Sequence, residues 1–390
     1  MSVALNAEPN SAEAITAAFR SEQHDEQVTR ADQVPKSYGS ITPAWLTDVL
    51  CGDAPGARVE SHRFDERDDG SSNRRRIFLT YNDAGQVASL PSTVFCKAAE
   101  ALENRLVLSL SGAAQIEADF YNLVRGRLDI EAPVGLYAQF DPETYASLIM
   151  MRDLGSSVRF CDDRTHMDFD HVASQMRTLA GLHSRFYESP ELGGSTLPFR
   201  TWPDWWRNMM TVSPDFASSC DVAFGQAEPL MPERLFRRRA EIWPATDASV
   251  ERHRALPRTL IHCDVHLKNW YIAADKRMGL SDFQIVSVGH WSRDVIYTMT
   301  TALTIEDRRR WEKDLVRYYL DQMAERGVPR TSEDEAWAAL RQQLMTALAF
   351  WTITLVPAEG MPAMQPERTT HEFLRRLLAA IDDHDVLDSF

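Results

Sequence analysis

The run Leu260-Ile261-His262-Cys263-Asp264-Val265-His266-Leu267-Lys268-Asn269 constrains this chain more than any other stretch. His262, Asp264, His266 and Asn269 fall within eight positions, on a loop bounded by strand-like apolar residues. Trp270-Tyr271-Ile272 follows, then a charged turn, Asp275-Lys276-Arg277, that closes at Met278-Gly279. Beyond it lies Leu280-Ser281-Asp282-Phe283-Gln284. The pattern predicts a loop, a short hairpin and a second loop. Asp264 and Asn269 then share one loop, and Asp282 lies across the hairpin.

Those residue types suit one chemistry. Phosphoryl transfer is catalysed mainly by positioning and by metal ions. A carboxylate accepts or orients the proton of the attacking hydroxyl, and Mg²⁺ takes hard oxygen ligands. Asp264 fits the role of base, and Asn269 and Asp282 fit those of metal ligands.

The spacing His262-x-Asp264-x-His266-x-x-Asn269 resembles the catalytic loop of the aminoglycoside phosphotransferase and choline kinase superfamily, relatives of protein kinases. Asp282-Phe283-Gln284 resembles its metal-binding motif, in the form closest to the ecdysteroid-kinase-like branch, and Gly289-His290-Trp291-Ser292-Arg293-Asp294 resembles the segment whose Asp anchors the loop. The resemblance covers roughly residues 41 to 330. It implies an α+β, protein-kinase-like two-lobe fold with a small β-rich N-lobe and a large, mostly helical C-lobe. It also implies ATP and Mg²⁺ as cofactors and a hydroxyl-bearing small molecule (an aminoglycoside, a choline-like or a steroid-like alcohol) as acceptor. His262 and His266 are implied to support the loop rather than move protons, and Asp294 to bond the loop from below.

The first part of the chain meets the same template. Lys97 ends the strand-like Thr93-Val94-Phe95-Cys96, and Glu117 stands twenty residues on, at the start of a predicted amphipathic helix over 116–127. The pair resembles the lysine and glutamate that hold nucleotide phosphates in kinases. Gly70-Ser71-Ser72, just before a predicted strand at 76–81, resembles the phosphate-covering loop, with one glycine where kinases have several. Arg152-Asp153-Leu154 resembles the interlobe hinge, whose backbone faces the adenine. Gln284 stands where protein kinases carry glycine, so no in/out flip of that loop is expected.

The predicted organisation is an extension over 1–40, partly mobile, an N-lobe over 41–153 and a C-lobe over 154–390. Asn10 and Glu13 suggest a capped helix through Phe19, Thr42-Pro43 a helix start, and Asn82-Asp83-Ala84-Gly85 a turn. The apolar run Leu344–Pro357 is too short for a membrane span and reads as a core helix. Arginine triplets at 74–76, 237–239 and 308–310 read as solvated faces.

A formal net charge of −15 argues against nucleic acid and anionic lipid as main partners. Five scattered cysteines without a CxxC pair form neither a disulfide framework nor a zinc site, which suits a cytoplasmic protein. The N-terminus has no basic n-region or apolar run of a signal peptide.

Trp202, Trp205 and Trp206 lie where the resembled superfamily builds its acceptor site. Aromatic faces there would bind quaternary ammonium or a flat apolar ring, and ordinary helix packing is the plainer reading. Two other functions compete. One is a catalytically inactive kinase-like binding module, against which stands the presence of Lys97, Asp264, Asn269 and Asp282 together. The other is a non-haem iron enzyme using His262, Asp264 and His290 or His371, against which stand the helical flanks.

Overall fold

The structure, a computed structural model, describes residues 11–357 and 364–390. They form two compact units. One runs through Arg127 and resumes over Pro133–Gly155; the other comprises Leu128–Ala132 and Ser156–Phe390.

The first unit is an antiparallel sheet with helices. Its strands are β1 (Val59–Phe64), β2 (Asp68–Asp69), β3 (Asn73–Tyr81), β4 (Thr93–Ala98), β5 (Gly135–Phe140) and β6 (Ser147–Arg152), in spatial order β1-β3-β4-β6-β5 with β2 beside β3. The period-2 alternation of strands decides what each face carries. Ile77 and Leu79 of β3, Val94 and Cys96 of β4 and Met150 of β6 turn into one core with Trp45 and Leu46. Lys97, between the buried Cys96 and Ala98, points to the other face.

The helices of this unit are α1 (Ala12–Ser21), α2 (Pro43–Leu50), α3 (Asp83–Val87), α4 (Leu102–Leu110) and α5 (Ala113–Asp119). Thr42 caps α2 as expected, its hydroxyl accepting the Trp45 N–H at 3.1 Å, with Pro43 in the first turn. Three local expectations are corrected. The cap of α1 is Ser11, which accepts from Ala14 N–H; Asn10 lies outside the described residues. Asn82 caps the short helix α3 instead of opening a plain turn, since its side chain accepts the Gly85 N–H at 3.2 Å. The helix expected over 116–127 begins earlier, and after Asp119 it widens into a π turn over Phe120–Val124. The wider turn brings Phe120, Tyr121 and Val124 all into the core.

The second unit is mostly helical. It holds a three-stranded sheet, β10-β9-β7, from β7 (Val158–Phe160), β9 (Trp270–Ala273) and β10 (Met278–Leu280). A ladder pairs β8 (Thr259–Ile261) with β11 (Ser287–Gly289). Its helices are α6 (Phe169–Arg185), α7 (Trp202–Val212), α8 (Phe216–Gln226), α9 (Glu233–Arg237), α10 (Ile242–Arg252), α11 (Ser292–Ala302), α12 (Ile305–Glu325), α13 (Glu333–Gln342), α14 (Leu344–Leu355) and α15 (Glu367–Asp383). Every residue of α11 is buried, and α6, α12, α13, α14 and α15 pack around it. The apolar run from Leu344 is the core helix α14. Among the described residues no helix is long and apolar enough to cross a membrane. Arg308 departs from the solvated-face reading: it is buried and paired with Glu312 and Asp383.

Candidate active site

In the second unit, β8 delivers the chain into the His262–Asn269 loop, and the first turn of α11 holds that loop. The Asp294 carboxylate accepts the N–H of His262 at 2.6 Å and that of Cys263 at 3.0 Å. His183 Nε2 donates to the same carboxylate at 3.2 Å, and its Nδ1 accepts the Tyr319 hydroxyl at 2.8 Å. Arg293, next to Asp294, donates from Nη2 to the Cys263 carbonyl at 2.8 Å and lays its guanidinium 4.0 Å over the Trp202 ring. The loop turns sharply here: Cys263 has φ +71°, in the left-handed region.

His262 links the two loops. Its Nε2 donates to the Ser281 carbonyl at 3.0 Å, while its Nδ1 accepts the Asp264 N–H at 3.1 Å. Both nitrogens are used in the neutral form, and burial lowers the ring's pKa below its ordinary value.

The Asp264 side chain is 19% exposed. Asn269 Nδ2 donates to its main-chain carbonyl at 2.7 Å and to Oδ2 at 3.3 Å. His266 Nε2 lies 3.5 Å from Oδ2. Trp351 Nε1 donates to the Tyr297 oxygen at 2.8 Å, and the Tyr297 hydroxyl donates to Asp264 Oδ1 at 3.4 Å. Burial acts to raise the Asp264 pKa, but His266 and Arg293 outweigh it and hold the group at about 2. Asp264 is therefore ionised across the neutral range.

Asp282 stands at the second loop with φ +70°, a conformation aspartate tolerates better than most residues. Its neighbour Ser281 donates from both N–H and hydroxyl to the Asn269 carbonyl, each at 2.9 Å, which ties the two expected metal ligands through one backbone link. The fit to Mg²⁺ can be tested on the Asn269 amide. Its nitrogen is committed to Asp264, which turns its oxygen toward other partners. An amide oxygen and a carboxylate are the donor set that hard cation prefers. Among the described residues no group of three or more His, Cys, Asp or Glu side chains is placed to hold a metal ion. The proposed iron triad is not assembled either: both His262 nitrogens are engaged, His290 Nδ1 bonds the Ser292 hydroxyl at 2.8 Å, and His371 pairs with Glu367 on α15.

The first unit carries the other expected group. Lys97 Nζ meets Glu117 Oε1 at 2.7 Å, with side chains 11% and 6% exposed. Glu117 sits inside α5, so it is a buried partner of Lys97 and not a charge at a helix start. Gly70-Ser71-Ser72 is the tip of the β2-β3 hairpin, closed by Gly70 N–H to the Ser72 carbonyl at 3.0 Å. Asn104 of α4 donates to the Gly70 carbonyl at 2.8 Å. The Ser71 and Ser72 N–H groups have no hydrogen-bond partner among the described residues, as an anion cradle requires. The tip's single glycine has an ordinary φ, so the turn does not depend on glycine geometry.

Of the residues expected at the hinge, Arg152 ends β6 and donates its N–H to the Val134 carbonyl at 2.9 Å. The Asp153 carboxylate is taken by Arg76 and by the Gly155 N–H at 2.9 Å, and Leu154 follows directly. Trp202, Trp205 and Trp206 on α7 are 0%, 4% and 4% exposed. Trp202 stacks on Trp205 with centroids 5.2 Å apart, and all three contact the ring of Phe350. These three rings are packed in a core, not presented as open faces.

Tyr297, Trp351 and Arg293 touch the loop without having been singled out from the sequence. Arg293 stands beside Asp294 in the resembled segment, and Tyr297 lies three residues after Asp294, on the same face of α11; Trp351 carried no local signal.

Three solved structures are similar to this chain at low identity. Choline kinase LicA from Streptococcus pneumoniae is 13% identical, with 83% of this chain and 94% of that one covered and a TM-score of 0.46. Macrolide 2'-phosphotransferase MphH from Brachybacterium faecium is 13% identical, with 83% and 94% covered and a TM-score of 0.47. Aminoglycoside phosphotransferase APH(3'')-Id from Streptomyces rimosus is 16% identical, with 76% and 94% covered and a TM-score of 0.43. No curated protein matches this chain. Residues 97–341, which run from the β4 lysine through the loop and its anchoring helix, match the model of the phosphotransferase enzyme family, and this α+β chain belongs to that family.

Proposed function

We propose that this protein transfers the γ-phosphate of Mg·ATP to a hydroxyl group of a small molecule, with Asp264 as the carboxylate that receives the proton. The observation that carries the reading is the setting of Asp264: a fixed, partly exposed carboxylate on a loop pinned by Asp294 and His262. The acceptor oxygen bonds to the γ-phosphorus, the bond to the β–γ bridging oxygen breaks, and ADP leaves. A carboxyl with a pKa of about 2 is a weak base, so Asp264 orients the hydroxyl first and takes its proton late, as the new O–P bond lowers that proton's affinity.

Lys97, steadied by Glu117, would hold the nucleotide phosphates, and the N–H groups of Ser71 and Ser72 would cover them. The backbone of Arg152, Asp153 and Leu154 would face the adenine. Asn269 and Asp282 would hold Mg²⁺, which when bound neutralises phosphate charge. His266 and Asp294 act as supports of the loop. With their rings packed away, the three tryptophans would shape an acceptor site from behind. The five cysteines are all free and buried, which supports a reducing, cytoplasmic setting.

The test is thermal unfolding with ATP, in Mg²⁺ or in EDTA. Ligand at about a hundred times its dissociation constant stabilises the folded state by about 2.7 kcal/mol, a shift of a few degrees. A Mg²⁺-dependent shift that disappears in Asp282→Ala supports the nucleotide half. Turnover on an acceptor panel should then fall by about 10²–10⁴ in Asp264→Asn, the usual worth of a positioned base. Near-wild-type turnover in that variant would remove Asp264 from its role.

A further inference from the structure

The segment before α2, predicted as part of a partly mobile extension, is bonded into the first unit at several points, among them Tyr38, beside the hairpin and Lys97, and Glu22 and Lys36, at Arg105 of α4. Tyr38 is 3% exposed, and its hydroxyl reaches the Asn73 carbonyl at 2.9 Å and the Cys96 carbonyl at 3.1 Å. Those two carbonyls belong to adjacent strands. Asn73 closes the Gly70-Ser71-Ser72 turn, and Cys96 immediately precedes Lys97. The Tyr38 N–H donates to Glu100 Oε1 at 3.1 Å. Arg105 of α4, fully buried, donates to Glu22 Oε2 at 2.6 Å and to the Lys36 carbonyl at 3.0 Å.

Asn73 is the hub of this network. Its side-chain oxygen accepts the N–H groups of Glu100 and Ala101 at 2.9 and 3.0 Å, and its nitrogen donates to Asp69 at 3.0 Å. One residue therefore joins both ends of the turn to the start of α4, and α4 grips the turn's tip through Asn104. Tyr38 fixes the backbone of that hub and, with the same hydroxyl, the backbone beside Lys97. Its O–H carries the only polar atom of a buried ring, so its loss changes little besides these two bonds.

We propose that Tyr38 is a positioning residue for the nucleotide phosphates, and that residues 22–40 form a strap which sets the hairpin tip and Lys97 in register. This rests on the reading of Gly70-Ser71-Ser72 and Lys97 as the phosphate-binding elements. A preset cradle of N–H groups binds anions better than a loose one, because less ordering is lost on binding. The Tyr38 hydroxyl reaches the backbone of the turn and of the residue before Lys97, not that of Arg152 or Asp153, so its effect is expected on ligands that carry phosphate.

The experiment measures dissociation constants for Mg·ATP, Mg·ADP and adenosine by calorimetry, on wild type, Tyr38→Phe, Asn104→Ala and Tyr137→Phe. Tyr137 also reaches the strap, at the Gln33 carbonyl, but bonds neither the turn nor β4 through its hydroxyl, so it serves as control. Tyr38→Phe is expected to weaken ATP and ADP by about tenfold, equivalent to about 1.4 kcal/mol, and to leave adenosine unchanged. Asn104→Ala, on the half-exposed side of α4, should show the same phosphate-selective loss and covers the case of a poorly folded Tyr38→Phe. Equal loss for adenosine and ATP, or no loss in either variant, overturns the inference. If wild type binds none of the three, the nucleotide reading itself fails, and that result is distinct from wild type binding normally with the variants unaffected.

Discussion

The Asp294 carboxylate holds the main-chain N–H groups of His262 and Cys263 at 2.6 and 3.0 Å from inside a fully buried helix. Removing it leaves two buried donors and the His183 ring without an acceptor. Each unsatisfied buried group costs about 1–3 kcal/mol. Asp294→Ala is therefore expected to lose about 3–5 kcal/mol of stability, measured by urea denaturation, and to lose turnover as the loop relaxes. Asp294→Asn keeps one oxygen for one amide and should fall between. A loss below about 1 kcal/mol in Asp294→Ala would mean the loop holds its shape without this anchor.

Lys97 and Glu117 make a nearly buried pair, 2.7 Å apart. Breaking such a pair from one side costs about 3–5 kcal/mol because a charge is left uncompensated, whereas replacing both partners costs much less. Glu117→Gln should thus be less stable than the double variant Lys97→Met/Glu117→Gln. A denaturation double-mutant cycle should give a coupling above about 1 kcal/mol. Additive losses would mean that solvent screens the pair and that Glu117 does not hold the lysine. The double variant should still lose nucleotide binding, which separates stability from function.

The candidate site was legible where its contacts are local. Asp264, Asn269 and Asp282 flank one hairpin, and Lys97 and Glu117 lie within one strand-to-helix step, so spacing and family resemblance proposed them together. Trp351 was not legible, because its bond to Tyr297 spans 54 residues and only the packing of α14 against α11 creates it; the bond from Tyr297 to Asp264 spans 33 and depends on α11 lying against the loop. Arg308 misled for the same reason: Asp383, one partner of its charge, lies 75 residues on. Asn82 misled differently. Asparagine favours both turns and helix caps, and only the structure shows which backbone N–H its side chain accepts. The tryptophans illustrate a third limit, since an aromatic cluster reads alike in sequence whether it lines a ligand or a core.

Cys263 has φ +71° and a fully buried side chain. The left-handed region costs an L-residue about 1–2 kcal/mol, and glycine escapes that cost but forfeits the buried thiol. Cys263→Gly should therefore lie within about 1 kcal/mol of wild type. Cys263→Val, β-branched at the same φ, should lose about 1–3 kcal/mol by strain, with further loss from crowding. Midpoints of urea denaturation check both. A valine variant as stable as the glycine variant would show that the loop readily adopts another backbone path.

Acid should destabilise the protein in two separate steps. His253 is buried with both nitrogens used in the neutral form: Nε2 bonds Gln343 at 2.8 Å, and Nδ1 accepts the His290 N–H at 2.9 Å. Burial lowers its pKa from 6.5 to about 4. Between those values the unfolded chain binds the proton and the folded chain does not, so stability falls as pH drops from 6.5 toward 4. Asp264 acts lower down. Its folded pKa of about 2, against an ordinary 3.8, gives stability that is complete above about pH 4 and is lost as pH falls through 2. Denaturation by urea from pH 8 to pH 3 should show the first loss in wild type and a shallower slope between pH 6.5 and 4.5 in His253→Gln. In Asp264→Asn that upper slope should persist, while the further loss below pH 4 is reduced. A wild-type slope unchanged by His253→Gln would assign the upper step to other histidines, and an Asp264→Asn curve parallel to wild type below pH 4 would show that Asp264 is not held ionised by its neighbours.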